Sequence, residues 1–336
     1  MCNEGWTGIS CEREVFNPIP PAPSSLSAGA LGAGHACVVR AGALYCWGDN
    51  AEGQLGVGDL VAREAPTLVA GMDADVTAVK AGAAHTCAIK ASALYCWGEG
   101  ADGQSGGASA PEVVAGFDVG VTALALGDAH TCAIKAGEAW CWGRNDVGQL
   151  GDGTTSASVA PRKVVGLGTS QTRLSSGAAH VCSDGGCWGD NAAGQLGVAG
   201  MAFSAFAVAA NADHLGGARS CRIDDQRFYC VQMSAPGVDQ VVAAALGAEH
   251  VCLIASNALK CWGDNAKGQL GVAALASSDM FVTVVDQPPS LLFAGFDSAC
   301  AAFGEELRCW GDNAKGQLGI PAAPPIVAAP TAVSFP

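Results

Sequence analysis

The chain has 336 residues, of which 46 are glycine, 50% are apolar and only 14% are charged, with a formal net charge of −14. That balance excludes a disordered chain, because there is ample apolar surface for a core. The acid excess disfavours nucleic acid, which needs clustered Lys and Arg, and leaves a solubilising surface or a cationic partner. No apolar run reaches the length of a bilayer span.

Residues 1–14 carry Cys2 and Cys11 around Gly5-Trp6-Thr7-Gly8. This stretch resembles the last loop of an EGF-like module. It is read as a remnant, and no signal peptide precedes it. Calcium binding of the EGF type is not carried over, since its ligands would lie upstream. Residues 15–25 contain a proline-rich linker, Phe16 to Ser25. Residues 26–336 form the remaining domain.

All sixteen cysteines fall into close pairs: Cys2/Cys11, Cys37/Cys46, Cys87/Cys96, Cys132/Cys141, Cys182/Cys187, Cys221/Cys230, Cys252/Cys261 and Cys300/Cys309. Metal sites favour Cys-x2–4-Cys spacing, whereas seven of these pairs are nine apart and one is five apart. A two-residue turn at Ala41-Gly42 sets Cys37 opposite Cys46 in a non-hydrogen-bonded pair, within disulfide reach. Cys182 and Cys187 enclose Asp184-Gly185, a hairpin turn. Losing four residues there keeps both face and pair type. Disulfides in an oxidising compartment are expected, with reduced core cysteines as the alternative. Around the first hairpin, Cys37, Val39, Leu44 and Cys46 take one face, and Val38, Tyr45 and Trp47 the other. Apolar residues on both faces call for sheets stacked on both sides.

Units begin near Leu26, Val76, Val121, Gln171, Ala207, Val241 and Ser290. Each has an apolar strand, a Gly-x-x-His turn, the cysteine hairpin, a polar loop and a fourth strand introduced by proline, as at Pro66 and Pro111. Most first cysteines are 45 to 50 residues apart, a period that signals propeller blades. The unit at Cys221 is eroded and is expected to have a shortened outer strand or loop. Its Asp224-Asp225 is read as the hairpin turn, not a catalytic dyad. Ser298 replaces the histidine in the last unit, whose final strand, near Pro330 to Val333, should pair or pack against the first unit.

Cys46-Trp-Gly-Asp-Asn-x-x-Gly-Gln-Leu-Gly recurs from Cys96 (with Ser105 for Leu), Cys141, Cys187, Cys261 and Cys309. This motif resembles the repeat of the regulator of chromosome condensation family. The resemblance implies an all-β fold: a seven-bladed β-propeller of four-stranded antiparallel blades, each with an intra-blade hairpin disulfide. The paired cysteines put the chain nearer the bacterial, exported branch of that family than the nuclear one. Trp47, Trp97, Trp142, Trp188, Trp262 and Trp310 are read as plates packed between blades. Gln54, Gln104, Gln149, Gln195, Gln269 and Gln317 are read as bonding loop backbone, with Asp49 and Asn50 capping a turn.

Family members include a guanine-nucleotide exchange factor and secreted inhibitors of β-lactamases. Exchange activity uses a loop insertion and chromatin binding uses basic segments. Neither feature is present here, so that activity is not carried over. The expected function is a non-enzymatic, monomeric binding scaffold, extracellular or on the cell surface. It would hold a protein or glycan on one rim through loops such as Gly58 to Glu64, Gly151 to Val159 and Ala273 to Met280. Inhibition of a secreted enzyme is the alternative. His35, His85, His130, His180 and His250 could suggest a ring of metal ligands, but they belong to the repeat and are read as locking their own turns. No cofactor, metal site or catalytic residue is expected.

Overall fold

A computed structural model describes residues 25–199, 201–208, 214–216, 219–230, 238–273 and 275–336. The EGF-like stretch, with Cys2 and Cys11, lies outside them. The first blade comprises β1 (Leu26–Leu31), β2 (His35–Arg40), β3 (Ala43–Gly48) and β4 (Arg63–Leu68). The second comprises β5 (Val76–Ala81), β6 (His85–Lys90), β7 (Ala93–Gly98) and β8 (Glu112–Val113). The third comprises β9 (Val121–Leu126), β10 (His130–Lys135), β11 (Glu138–Gly143) and β12 (Ser158–Lys163). The fourth comprises β13 (Leu174–Ser176), β14 (His180–Ser183), β15 (Gly186–Asp190) and β16 (Phe203–Val208). A shorter sheet follows, of β17 (His214–Gly216), β18 (Arg219–Asp224) and β19 (Arg227–Cys230). After it come β20 (Val241–Leu246), β21 (His250–Ala255), β22 (Ala258–Asp264) and β23 (Ser277–Val285). The last blade is β24 (Leu291–Gly295), β25 (Ser298–Phe303), β26 (Glu306–Asp312) and β27 (Ile326–Val333).

Six of these sheets have four strands in simple meander order, and β17–β19 has three. The expectation of seven four-stranded blades is therefore corrected: among the described residues the propeller has six such blades. The three-stranded sheet takes the remaining place in the ring, between β13 and β20. The reason is local. Trp-Gly and Gly-Gln-Leu-Gly are missing after Cys230, and only 31 residues separate Cys221 from Cys252. Two further readings are corrected here. Residues near Ala207 close the fourth blade as β16 rather than opening the next unit. The turn after β18 is Asp225-Gln226, with φ of 46° and 59°, one residue beyond the expected Asp224-Asp225.

Each hairpin register sets cysteine against cysteine, and seven disulfides close with Cα–Cα distances of 4.0–4.1 Å. Ala41 and Gly42 take φ of 50° and 81°, a turn whose twist matches the strands it joins. The turn at Asp184-Gly185 keeps the same register without a left-handed residue at either position.

The two faces of a blade enter different cores. Cys37, Val39, Leu44 and Cys46 pack with Ala88 and Trp97 of the second blade. Val38 and Trp47 pack with Cys300 and Cys309 of the last blade. Each disulfide thus lies under the next blade's tryptophan, as with Cys87 and Cys96 under Trp142. The fourth blade is the exception. Among the described residues Cys182 and Cys187 share a core with Leu196 and Val198 and with no tryptophan, since the following sheet's sequence has none.

Closure needs no exchanged strand. β27 pairs with β26 inside its own blade, and Phe335 packs edge-on against Tyr45 and Trp47 of the first. The innermost strands surround an axial channel with a cavity of about 550 Å³. Around one mouth the inner turns bond from blade to blade: Ala33 N–H to Ala83 O, Ala83 N–H to Asp128 O, and Asp128 N–H to Ala178 O, at 3.0–3.1 Å.

Candidate functional site

One face of the ring gathers nearly every feature that the repeat supplies. Each Gly-x-x-His turn ends where its third strand ends, since His35 pairs with Gly48 and His130 with Gly143. The long β3–β4 type loops leave from the same edge. A backbone bond ties the two levels together, as in Asp49 N–H to Gly34 O and Asp312 N–H to Asp297 O.

Four of the five repeat histidines, His35, His85, His130 and His180, bond to the next blade, which corrects the reading that each locks its own turn; His250 has no such partner among the described residues. His35 Nε2 lies 2.8 Å from Thr86 Oγ1, and that hydroxyl donates to Gln54 O at 2.8 Å. The Thr86 proton is thereby used, so His35 donates from Nε2 and carries no proton on Nδ1. His85, Thr131 and Gln104 O repeat the arrangement. His130 meets Ser176 Oγ and His180 meets Ser220 Oγ, both at 3.0 Å. Burial holds all five imidazoles far below their usual range, to about 4 for His35, His180 and His250 and about 3 for His85 and His130. They are neutral structural groups at neutral pH. Among the described residues no cluster of His, Cys, Asp or Glu is placed to hold a metal ion.

The same carbonyls receive the tryptophans. The indoles of Trp97, Trp142, Trp188 and Trp310 donate to Gln54 O, Gln104 O, Gln149 O and Gln269 O at 2.9–3.0 Å. Trp262 follows the sheet that lacks the glutamine and has no such acceptor among the described residues. A Cβ on Gly56 would lie 2.6 Å from Trp97 Nε1, so this glycine is required at the contact. The glutamine side chains turn back into their loops. Gln54 Oε1 accepts from Glu52 N–H, and Gln195 Nε2 donates to Asp190. Gln269 and Gln317 reach Asp264 and Asp312 in the same way.

The motif asparagine anchors the variable loop. Asn50 is fully buried; its Oδ1 accepts from Leu55 N–H and its Nδ2 donates to the carbonyls of Asp59 and Val61. Asn145, Asn191 and Asn265 hold Ser156, Met201 and Leu275 likewise. Sequence reasoning missed this role. The signal is the second blade, where Gly100 and Ser105 replace Asn and Leu together and the fourth strand shrinks to two residues.

Held on that frame is an acidic collar with an apolar rim. Asp49 follows its third strand and Asp190, Asp264 and Asp312 end theirs, while Asp128, Glu249 and Asp297 occupy the inner turns. Lys315 sits 3.4 Å from Asp49 and Lys267 4.0 Å from Asp312, each reaching into the next blade. Partial burial, then the carboxylates of Asp312, Asp264 and Glu249, raise the Asp297 carboxyl above its usual range, with Lys267 opposing. Leu60 and Val61 on the first long loop and Met280 on β23 stand exposed, each more than half accessible.

Models of the regulator of chromosome condensation (RCC1) repeat match residues 41–89 and 136–183, and a second model of that repeat matches 76–104 and 121–149. No curated protein matches the chain in sequence. Among solved structures, the CRINKLY WD40 ectodomain of the Arabidopsis thaliana receptor kinase ACR4 is similar, with a TM-score of 0.56 and 18% identity over 91% of this chain and 99% of that one. Human WBSCR16 is similar with a TM-score of 0.54 and 20% identity, covering 94% and 84%. Yeast RCC1 (Prp20), solved with Kap60 bound, gives 0.54 and 18%, covering 91% and 74%. At these identities the likeness is one of fold.

Proposed function

We propose that this disulfide-bearing propeller, which carries RCC1 repeats, is a non-enzymatic scaffold that binds a protein partner on its acidic face in an oxidising, extracellular setting. The observation that carries the reading is the crowding of Asp264, Asp297, Asp312 and Glu249. Partial burial and then these like charges raise the Asp297 carboxyl; Lys267 opposes them and Arg219 pairs with Glu249 at 2.6 Å, and a partner presenting further Lys or Arg there would relieve the remaining repulsion. The surrounding Leu60, Val61 and Met280 supply apolar contact at the edge of such an interface. The loop bearing Leu60 and Val61 is pinned by buried Asn50, and the loop leading into β23 by buried Asn265, so their shape is set before binding. Seven hairpin disulfides support an oxidising compartment. Among the described residues no helix is long and apolar enough to cross a membrane. Enzyme inhibition is less favoured, because these loops lack Trp and Tyr anchors and the arginine among them, Arg63, is tied to Asp59 at 2.6 Å.

The test is affinity capture from a panel of secreted and surface proteins, with the Asp264→Asn, Asp297→Asn, Asp312→Asn triple variant in parallel. Capture that weakens with salt and is lost in the variant supports the reading. Equal capture by both proteins would move the site off this face.

A further inference from the structure

The axial channel holds one feature that neither the repeat nor the proposed face explains. At the level of the first cysteine of each hairpin, the innermost strands carry Ala30, Ala125, Ser175, His214, Ala245 and Phe293. The second blade carries Lys80 at that level. Lys80 is accessible within the channel yet enclosed by the ring, and it forms no hydrogen bond or ion pair among the described residues. Among the described lining residues it is the single lysine or arginine, and Asp128 at the mouth is the single carboxylate.

We propose that the channel is a binding site for a small oxyanion, a phosphate or a small carboxylate, centred on the Lys80 ammonium. Three physical points support it. Low-dielectric walls on all sides focus the field of one unpaired charge along the axis. Each innermost strand is hydrogen-bonded on one side only, so alternate residues of β5 and its neighbours turn both N–H and C=O toward the channel, and the N–H groups are available as further donors. The cavity of about 550 Å³ admits such an anion together with water. The enclosure also lowers the Lys80 pKa from its usual value by desolvation, and a bound anion would restore the charged form. The chain's net charge of −14 makes non-specific anion binding unfavourable, so uptake at one equivalent reports this site.

The experiment is titration calorimetry of the whole chain with inorganic phosphate and, separately, with acetate, at low chloride. Lys80→Ala is the informative variant, because alanine occupies the same level in three other blades and the substitution should not disturb folding. The expected result is one anion bound per chain in the wild type and in Lys80→Arg. In Lys80→Ala binding should weaken by at least about tenfold, the loss that goes with one charge-assisted hydrogen bond. Tighter binding of phosphate or of acetate identifies which source the site prefers. Undiminished binding by Lys80→Ala, or no binding of either anion by the wild type, overturns the proposal.

Discussion

The indole of Trp47, in the first blade, donates a hydrogen bond of 2.9 Å to the main-chain carbonyl of Gln317, in the last. This contact, across 270 residues of chain, is the same one that joins consecutive blades elsewhere. Ring closure is thus one more copy of an ordinary interface. Trp47→Phe keeps most of the apolar plate and removes the donor, leaving a buried carbonyl short of a partner. It should cost about 1–3 kcal/mol in urea unfolding. Trp262→Phe, with no acceptor among the described residues to lose, should cost clearly less.

The link between His250 and the next blade is missing its second half. Ala299 stands where Thr86 and Thr131 stand in other blades, and both nitrogens of the fully buried His250 lack partners. Ala299→Thr supplies the hydroxyl and should stabilise by about 1 kcal/mol. Thr86→Val, which strips the hydroxyl from an intact link, should destabilise by about 1–3 kcal/mol. Thermal unfolding of both variants at pH 7 checks the pair. Loss of stability in Ala299→Thr would mean the site cannot take the larger side chain.

How far these links were readable in advance differs by residue. Cys37 and Cys46 were legible because a two-residue turn and a period of two leave one register. Trp47 was legible as a plate but not as a donor, because its acceptor is a main-chain atom far along the chain. Asn50 looked like a turn residue, since its grip on Asp59 and Val61 shows only when the loop is closed. The boundary near Ala207 was misread because the motif that marks blades is absent there, and apolar residues alone do not say which sheet they join. Lys80 was hidden inside an apolar strand.

Acid should loosen the ring before carboxylates matter. The five imidazoles have folded pKa values of about 3 to 4, below the unfolded value of 6.5. Protonation therefore favours the unfolded chain. Stability is complete above about pH 6.5 and falls as the pH drops toward 4, by up to about 1.4 kcal/mol per pH unit for each histidine. Urea midpoints between pH 4 and 7 should show this slope, and His85→Gln should reduce it. A flat profile would mean the imidazoles take up protons without unfolding.

One disulfide is less protected than the rest. Cys230 is partly accessible on the outermost described strand of the three-stranded sheet, whereas the six disulfides of the four-stranded blades are buried. Under limiting dithiothreitol with alkylation, peptides bearing Cys221 and Cys230 should be labelled first. Reduction beginning at Cys37–Cys46 would contradict the accessibility argument.

Because every sheet is assembled from consecutive strands and the seam between Gln317 and Trp47 uses no borrowed one, the order in which the polypeptide visits the ring is arbitrary. A circularly permuted gene, opened between any two four-stranded blades and joined across Phe335 and Leu26, should yield the same toroid. For the same reason duplication or deletion of a whole repeat is a single evolutionary step, with no interlocked strand to hold the number of units constant.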